Sequence, residues 1–271
     1  MSPELLDLHI KKAKASFDGA IGVNIPLLRH DADALAEVTV SNDIRVVFTS
    51  AGNPGKFTDY FHNHNAIVAH VVPSLKLGLK AVARGVDVIV GEGVEAGGHN
   101  GFEEISTLPL VRRLVETLDV PVLAAGGIHD GAGLAAMLAL GADGVQIGTR
   151  YACTTESSAS DVYKRLIIES SEPATVLTNR KISPTRMLRG MVSEQLAKFE
   201  GGCFSREEIE TYLGRGRAQK GLFEGDSETG YMEAGEVAGD ICKVISANEV
   251  TVEMIEGYFA TLAKMPGVKK F

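Results

Sequence analysis

The sequence predicts an α/β fold of the (β/α)8 TIM-barrel type, N-terminally incomplete, with a small helical subdomain near the C-terminus. Three observations predict it. Short apolar, β-branched runs alternate with helical patterns up to about residue 165. Those runs are apolar throughout, as strands buried on both faces are. Three of them end in glycine-bearing turns, and the C-terminal strand ends are where such a barrel keeps its chemistry.

Taken in order, the first element is a helix. Ser2 is placed to N-cap it, Pro3 suits its first position, and Leu5, Leu6, Ile10 and Ala13 share one face. Strands are read over Ala20–Ile25, Arg45–Thr49, Ile67–Val72, Asp87–Gly91, Pro121–Ala125 and Gly144–Ile147. Helices lie between them at Asp31–Val40, Ser74–Arg84, Thr107–Leu118 and Ala132–Leu140. This alternation means βαβ units and a parallel sheet. Six strands are readable, whereas a closed barrel has eight; at this spacing two further units would occupy about 45 residues ahead of Met1. An open doubly wound sheet is the alternative. Beyond Arg150 the character changes. Residues 161–220 are rich in charge and helical pattern, show no strand of comparable strength, and are assigned to a helical lid or substrate subdomain. The barrel domain takes 1–160 and 221–271, the second part punctuated by Gly225, Gly230, Gly235 and Gly239 and closed by an amphipathic helix, Val252–Ala263.

Composition narrows the function classes. Of 271 residues, 45% are hydrophobic and 23% charged, an ordinary soluble balance. A formal net charge of -8 argues against nonspecific nucleic-acid binding, which needs a basic surface. There is no run of about 18 apolar residues to cross a membrane. Met1-Ser2-Pro3-Glu4 has neither the charged nor the apolar region of a signal peptide. Cys153, Cys203 and Cys242 are odd in number and scattered, which fits a cytoplasmic location and argues against a zinc site or a disulfide framework.

The most informative stretch is Glu92-Gly93-Val94-Glu95-Ala96-Gly97-Gly98-His99-Asn100-Gly101, directly after an apolar strand. Its four glycines are read as letting backbone approach a ligand, and histidine is the one residue type in it that ordinarily has a pKa near neutral. His99 is therefore the candidate general acid, general base or donor to a substrate carbonyl. Two further glycine-bearing strand ends follow, Ala124-Ala125-Gly126-Gly127-Ile128 and Gln146-Ile147-Gly148-Thr149-Arg150. Backbone N–H groups of Gly126, Gly127, Gly148 and Thr149 suit a phosphate, and two such turns on the last two strands match the barrel phosphate site. The alternative is that these glycines only make tight turns. Asn24 and Asn53 sit at strand ends, and Gln146 interrupts an apolar run; a carboxamide offers donor and acceptor together, which suits a flavin edge. For an Asn before Pro, plain turn formation is the competing reading.

Other motifs carry less. Gly52-Asn53-Pro54-Gly55-Lys56 has the wrong spacing for a Walker loop, and Phe57 stands where Ser or Thr is needed. No GxGxxG follows a strand. His62 and His64 lack an evident third ligand for a metal. Arg186, Arg189, Arg215, Arg217 and Lys220 default to a solvated face.

Taken together, these motifs resemble the FMN-dependent barrel family of nitronate monooxygenases and enoyl-acyl-carrier-protein reductase II. The pieces are GVNIPLL (22–28), TSAGNP (49–54), EGVEAGGHNG (92–101), AAGGI (124–128) and GADGVQIGTRY (141–151), with GLFEGD (221–226) extending the likeness towards the C-terminus. The resemblance implies FMN, its phosphate on Gly126, Gly127, Gly148 and Thr149, other contacts at Gly97, Gly98 and Ala125, and ring or ribityl contacts near Asn24 and Gln146. It implies His99 as the active-site histidine. TSAGNP and VVPS (71–74) lean to the enoyl reductase branch, in which NAD(P)H reduces FMN and hydride passes to the β-carbon of a 2-enoyl thioester, a small-molecule or acyl-carrier-bound substrate. His99 would then stabilise the thioester oxygen as enolate charge develops. The nitronate branch instead oxidises alkyl nitronates with oxygen. The resemblance also implies two preceding βα units that this chain lacks, so a degenerate, non-catalytic barrel is a third expectation; a homodimer is compatible with all three. A nucleotide-oxidising barrel resembling inosine monophosphate dehydrogenase is a rival, but it needs a nucleophilic cysteine after an earlier strand than the one before Cys153.

Overall fold

A computed structural model describes residues 1–265. Its centre is a six-stranded parallel sheet: β1 (Gly22–Pro26), β2 (Val46–Ser50), β3 (Ile67–Val72), β4 (Val88–Glu92), β6 (Val122–Ala125) and β7 (Gly144–Gln146), hydrogen-bonded in that order. The missing number, β5 (Gly98–His99), is a two-residue strand inside the glycine-rich loop. Helices follow the strands: α2 (Ala32–Ser41), α3 (Thr58–His62), α4 (Leu75–Val82), α5 (Thr107–Thr117) and α6 (Gly131–Ala139), with α1 (Pro3–Ser16) ahead of β1. All six strands read from sequence are present, displaced by no more than two residues at an end. The sheet is the (β/α) barrel type, open between β1 and β7, which pair with no further strand among the described residues.

Strands β2, β3, β4 and β6 are covered on both faces, which is why they are apolar runs, whereas Gly22 and Asn24 of β1 are exposed. Val23, Ile25, Val47, Val68 and Ile89 point to the helices and pack with Leu35, Phe61, Leu110 and Leu114. Phe48, Ala69, Val71, Val90, Leu123 and Ala125 form the concave face. Two aspartates set the strand entries. The carboxylate of Asp87 accepts from Val68 N at 2.7 Å, and that of Asp143 from Val122 N at 2.8 Å, each satisfying a donor near the start of a neighbouring strand. His70 is buried on β3, where burial pushes its pKa down to about 4; its Nδ1 lies 2.7 Å from the Thr49 hydroxyl, so it is a neutral structural histidine.

After β7 come α7 (Thr149–Ala152), α8 (Asp161–Ile168), β8 (Thr175–Thr178), β9 (Thr185–Leu188), α9 (Met191–Gly201), α10 (Arg206–Leu213), α11 (Arg217–Leu222) and α12 (Ala247–Lys264). The region 161–220, read as showing no strand of comparable strength, also carries the short strands β8 and β9. They run antiparallel, and β9 also pairs with β5, Gly98 opposite Arg186 and His99 opposite Thr185. Neither is a continuous apolar run, since Thr175 and Thr178 stand at the ends of β8 and Thr185 and Arg186 open β9. The helices of this region are capped as their sequences dictate: Ser160 accepts from Tyr163 N, and Ser205 with Glu208 makes a capping box. Its core is shared with the returning chain, since Tyr163, Ile167 and Leu188 pack with Met232, Ala234 and Ile241. The closing helix expected at Val252–Ala263 lies within α12, which packs on α6. Residues 266–271 of the 221–271 range lie outside the described residues. No described helix is long and apolar enough to cross a membrane.

Candidate active site

The ends of β4, β6 and β7 meet in a cavity of about 240 Å³. Register explains its floor: Glu92, Ala125 and Gln146 are aligned partners across β4, β6 and β7, so their side chains share the concave face. Of the residues singled out in sequence, Gly97, Ala125, Gly126, Gly127, Gln146, Gly148 and Thr149 line this cavity. Gly98 and His99 stand beside it on β5, the imidazole largely exposed and its Nδ1 3.8 Å from Glu233 Oε1. Asn24 is not brought to it. That side chain is exposed on β1 and lines a separate cavity of about 550 Å³ under α1.

The glycines of the 92–101 loop serve the protein's own packing first. A Cβ on Gly93 would collide with Thr107, and one on Gly97 would lie 2.6 Å from the main chain of Ala234 and Gly235. The loop is thus pressed between α5 and the returning segment Tyr231–Glu236. Glu95 anchors it, its carboxylate accepting from Thr107 N at 2.9 Å and from the Thr107 hydroxyl at 2.8 Å, which caps α5. Arg186 anchors it from the other side. This guanidinium is buried, not on a solvated face: it donates to Val94 O at 2.8 Å and to Thr175 Oγ1 at 3.1 Å, and pairs with Glu236.

Sequence reasoning missed four polar residues of the cavity wall. They are Glu92, Glu95, Tyr163 and Glu233. The signal for Glu92 was present, since it ends an apolar strand just as Gln146 does. Burial pushes its carboxyl up to about 7. Glu233 is likewise raised by burial, partly offset by the positive charge His99 carries when protonated. Tyr163 Oη donates to Glu233 O at 2.7 Å, fixing that segment. Cys153 is buried and its thiol raised by burial, so it is not an activated nucleophile, and the nucleotide-oxidising reading loses its last candidate. His62 pairs with Asp87, Nε2 to Oδ2 at 2.9 Å, and His64 Nδ1 lies 2.7 Å from Tyr60 O, both away from the cavity.

The raised pKa of Glu92 sets a pH dependence. Its ordinary value is 4.5, so the folded state holds a proton that the unfolded chain has lost between about 4.5 and 7. The stability linked to that proton is fully present below pH 4.5 and is lost as pH rises through 7. Glu92→Gln is expected to stabilise the cofactor-free protein at pH 8 by about 1–3 kcal/mol and to change little near pH 4.5. Thermal melts of both proteins at the two pH values check this; an equal difference at both would assign the effect to packing.

The cavity fits a phosphate-bearing group. The N–H groups of Gly127 and Gly148 have no protein partner among the described residues. Gly127 has φ +71°, which turns its N–H out of the strand direction. Nothing lies within 4 Å of where a Cβ on Gly148 would be, so the cavity is open beside that residue. The Thr149 hydroxyl accepts from Gly235 N at 2.9 Å and keeps its own proton to donate. Fold and cavity together define a (β/α) barrel whose last two strands end at a cavity that fits a phosphate-bearing group.

The chain belongs to the nitronate monooxygenase family, whose model matches residues 1–257. That family consists of FMN-dependent flavoenzymes. In structure the chain is similar to FabK from Thermotoga maritima, 34% identical with a TM-score of 0.90, over 97% of this chain and 84% of that one. In sequence it is 34% identical over 208 residues to (3aS,4S,5R,7aS)-5-hydroxy-7a-methyl-1-oxo-octahydro-1H-indene-4-carboxyl-CoA dehydrogenase of Mycobacterium tuberculosis, covering 76% of this chain and 58% of that protein. It is 43% identical over 123 residues to a Staphylococcus saprophyticus protein named "probable nitronate monooxygenase", covering 42% of this chain and 34% of that protein. The chain therefore spans less than two thirds of the length of these curated relatives.

Proposed function

We propose that this protein is an FMN-dependent oxidoreductase that uses NAD(P)H to reduce 2-enoyl thioesters, carried on a small molecule or an acyl carrier. The observation that carries the reading is the whole-length likeness to FabK, an enoyl-acyl-carrier-protein reductase II, joined to a relative named for a CoA-thioester substrate. The chemistry FMN supplies when bound is hydride transfer between NAD(P)H and the β-carbon of the enoyl group.

This chain's own residues do the rest. The N–H groups of Gly127 and Gly148 and the Thr149 hydroxyl hold the phosphate; Gln146 gives the cofactor a donor and an acceptor from the cavity floor. Glu92, neutral below about pH 7, adds no negative charge beside that phosphate. His99 stands at the rim and donates a hydrogen bond to the thioester oxygen, where negative charge grows as the β-carbon is reduced; a donor so placed is worth about 3–4 kcal/mol.

The second reading is oxidation of alkyl nitronates with oxygen, favoured by the family model and the Staphylococcus relative. Steady-state assays separate the two. Protein loaded with FMN is expected to consume NAD(P)H only when a crotonyl thioester is supplied. Oxygen uptake with propyl nitronate, and no response to the thioester, would establish the second reading instead.

A further inference from the structure

We propose that Glu233 is the positioning residue for His99, holding the imidazole through Nδ1 and leaving Nε2 to meet the substrate. The proposal deepens the reading of His99 given above and rests on it.

Three observations meet here. Glu233 Oε1 is shut off from solvent and has no hydrogen-bond partner among the described residues. Burying a carboxylate oxygen without a partner is costly, so a donor able to reach it is called for. The nearest basic group is His99 Nδ1, 3.8 Å away. Gly98 leaves the carboxylate room, since a Cβ there would stand 3.3 Å from Oε2.

Both main chains are fixed, which makes the carboxylate a reference point. On one side, His99 is held in register with Thr185 by the β5–β9 pairing. On the other, the segment bearing Glu233 is tied at four places. Tyr163 Oη donates to Glu233 O at 2.7 Å, and Leu188 N donates to Met232 O at 2.8 Å. Gly235 N donates to Thr149 Oγ1 at 2.9 Å, and Glu236 N to Glu95 O at 2.9 Å. Only the two side chains remain to be adjusted. A separation of 3.8 Å is long for a hydrogen bond, and catalytic hydrogen bonds commonly tighten when substrate arrives.

The charges are consistent. With Glu233 ionised, an imidazolium donates Nδ1–H to it, and Nε2–H remains the donor to the thioester oxygen. A positive charge on His99 in turn favours the ionised carboxylate that burial opposes. The pair thus stabilises the charged donor and fixes which ring nitrogen faces substrate.

Glu233→Gln keeps the size and one acceptor but removes the charge. It is expected to lower kcat about 10- to 100-fold, with KM and the flavin spectrum unchanged. In a His99→Ala background it should add about twofold at most, because the two act as one unit. Glu233→Asp, which keeps the charge, should recover part of the loss. A readout free of turnover is the ¹⁵N resonance of His99 Nδ1, assigned by its disappearance in His99→Ala. It should show a hydrogen-bonded N–H in the natural protein and move in Glu233→Gln. An unmoved resonance, or an equal kcat loss with and without His99, overturns the proposal and assigns Glu233 to the cofactor or to packing. If the resonance moves while no variant turns over the thioester, the pairing is supported and the enoyl reading fails.

Discussion

His99→Ala is expected to lower turnover about 100- to 1,000-fold while leaving the flavin bound and the melting temperature within a degree or so. The size follows from the role. A donor that meets charge formed only in the transition state contributes to kcat rather than to binding. The selectivity follows from the geometry. The imidazole is 62% exposed and its one ionic partner is Glu233, so its removal leaves no cavity in the core. Strand β5 is joined to β9 through its backbone, which alanine preserves. Gly127, Gly148 and Thr149, proposed above to hold the phosphate, belong to other strand ends. Visible absorbance of the purified variant, its melting curve and its kcat test the three parts separately. Loss of flavin and stability together would make His99 a structural residue.

Gly148→Asp is expected to weaken FMN binding about 100-fold without unfolding the cofactor-free protein. Gly148 has φ −99°, which any residue adopts, and nothing lies within 4 Å of its would-be Cβ. The new side chain is thus sterically free and strains no backbone. It places a carboxylate beside a cofactor phosphate. At roughly 4 Å two like charges repel by about 4 kcal/mol near a protein surface, reduced by salt, and about 2.7 kcal/mol corresponds to 100-fold. Gly148→Ala, with a methyl in the same open space, should bind FMN nearly as the natural protein does. Fluorescence titration of FMN into the three proteins gives the affinities. Equal affinities throughout would place the phosphate elsewhere and remove the main support for the cavity as the cofactor seat.

What could be read from sequence was local, and what could not was long-range. Strands β2, β3, β4 and β6 are apolar because they are covered on both faces, and the apolar residues of β1 and β7 continue the alternation with helices, so pattern alone located all six. The strand-end turns at Gly126, Gly127, Gly148 and Thr149 announced themselves for the same reason, following directly on those runs. Strands β8 and β9 did not, because Thr175, Thr178, Thr185 and Arg186 break their apolar character and their stability comes from partners far away. Gly98 meets Arg186, and Tyr163 meets Glu233 across 70 residues. Arg186 looked like one more surface cation until burial and Glu236 gave it a partner. The glycines of the 92–101 loop were legible as close-approach positions but not as to what approaches. For Gly93 and Gly97 it is Thr107 and the Ala234–Gly235 backbone, pieces of the protein itself. Glu233, the carboxylate nearest His99, sits in a stretch with no strand or helix signature, and only the fold brings it there.

The most direct measurement of enoyl-thioester reduction at this site is a single turnover without oxygen. FMN-loaded protein is reduced with one equivalent of NAD(P)H under anaerobic conditions and mixed with a crotonyl thioester while the visible flavin band is followed. The expected result is immediate return of the oxidised-flavin band, with the saturated thioester as product and a much slower return in His99→Ala. A band that stays bleached until oxygen is admitted, in a protein whose flavin propyl nitronate reduces directly, would contradict the assignment.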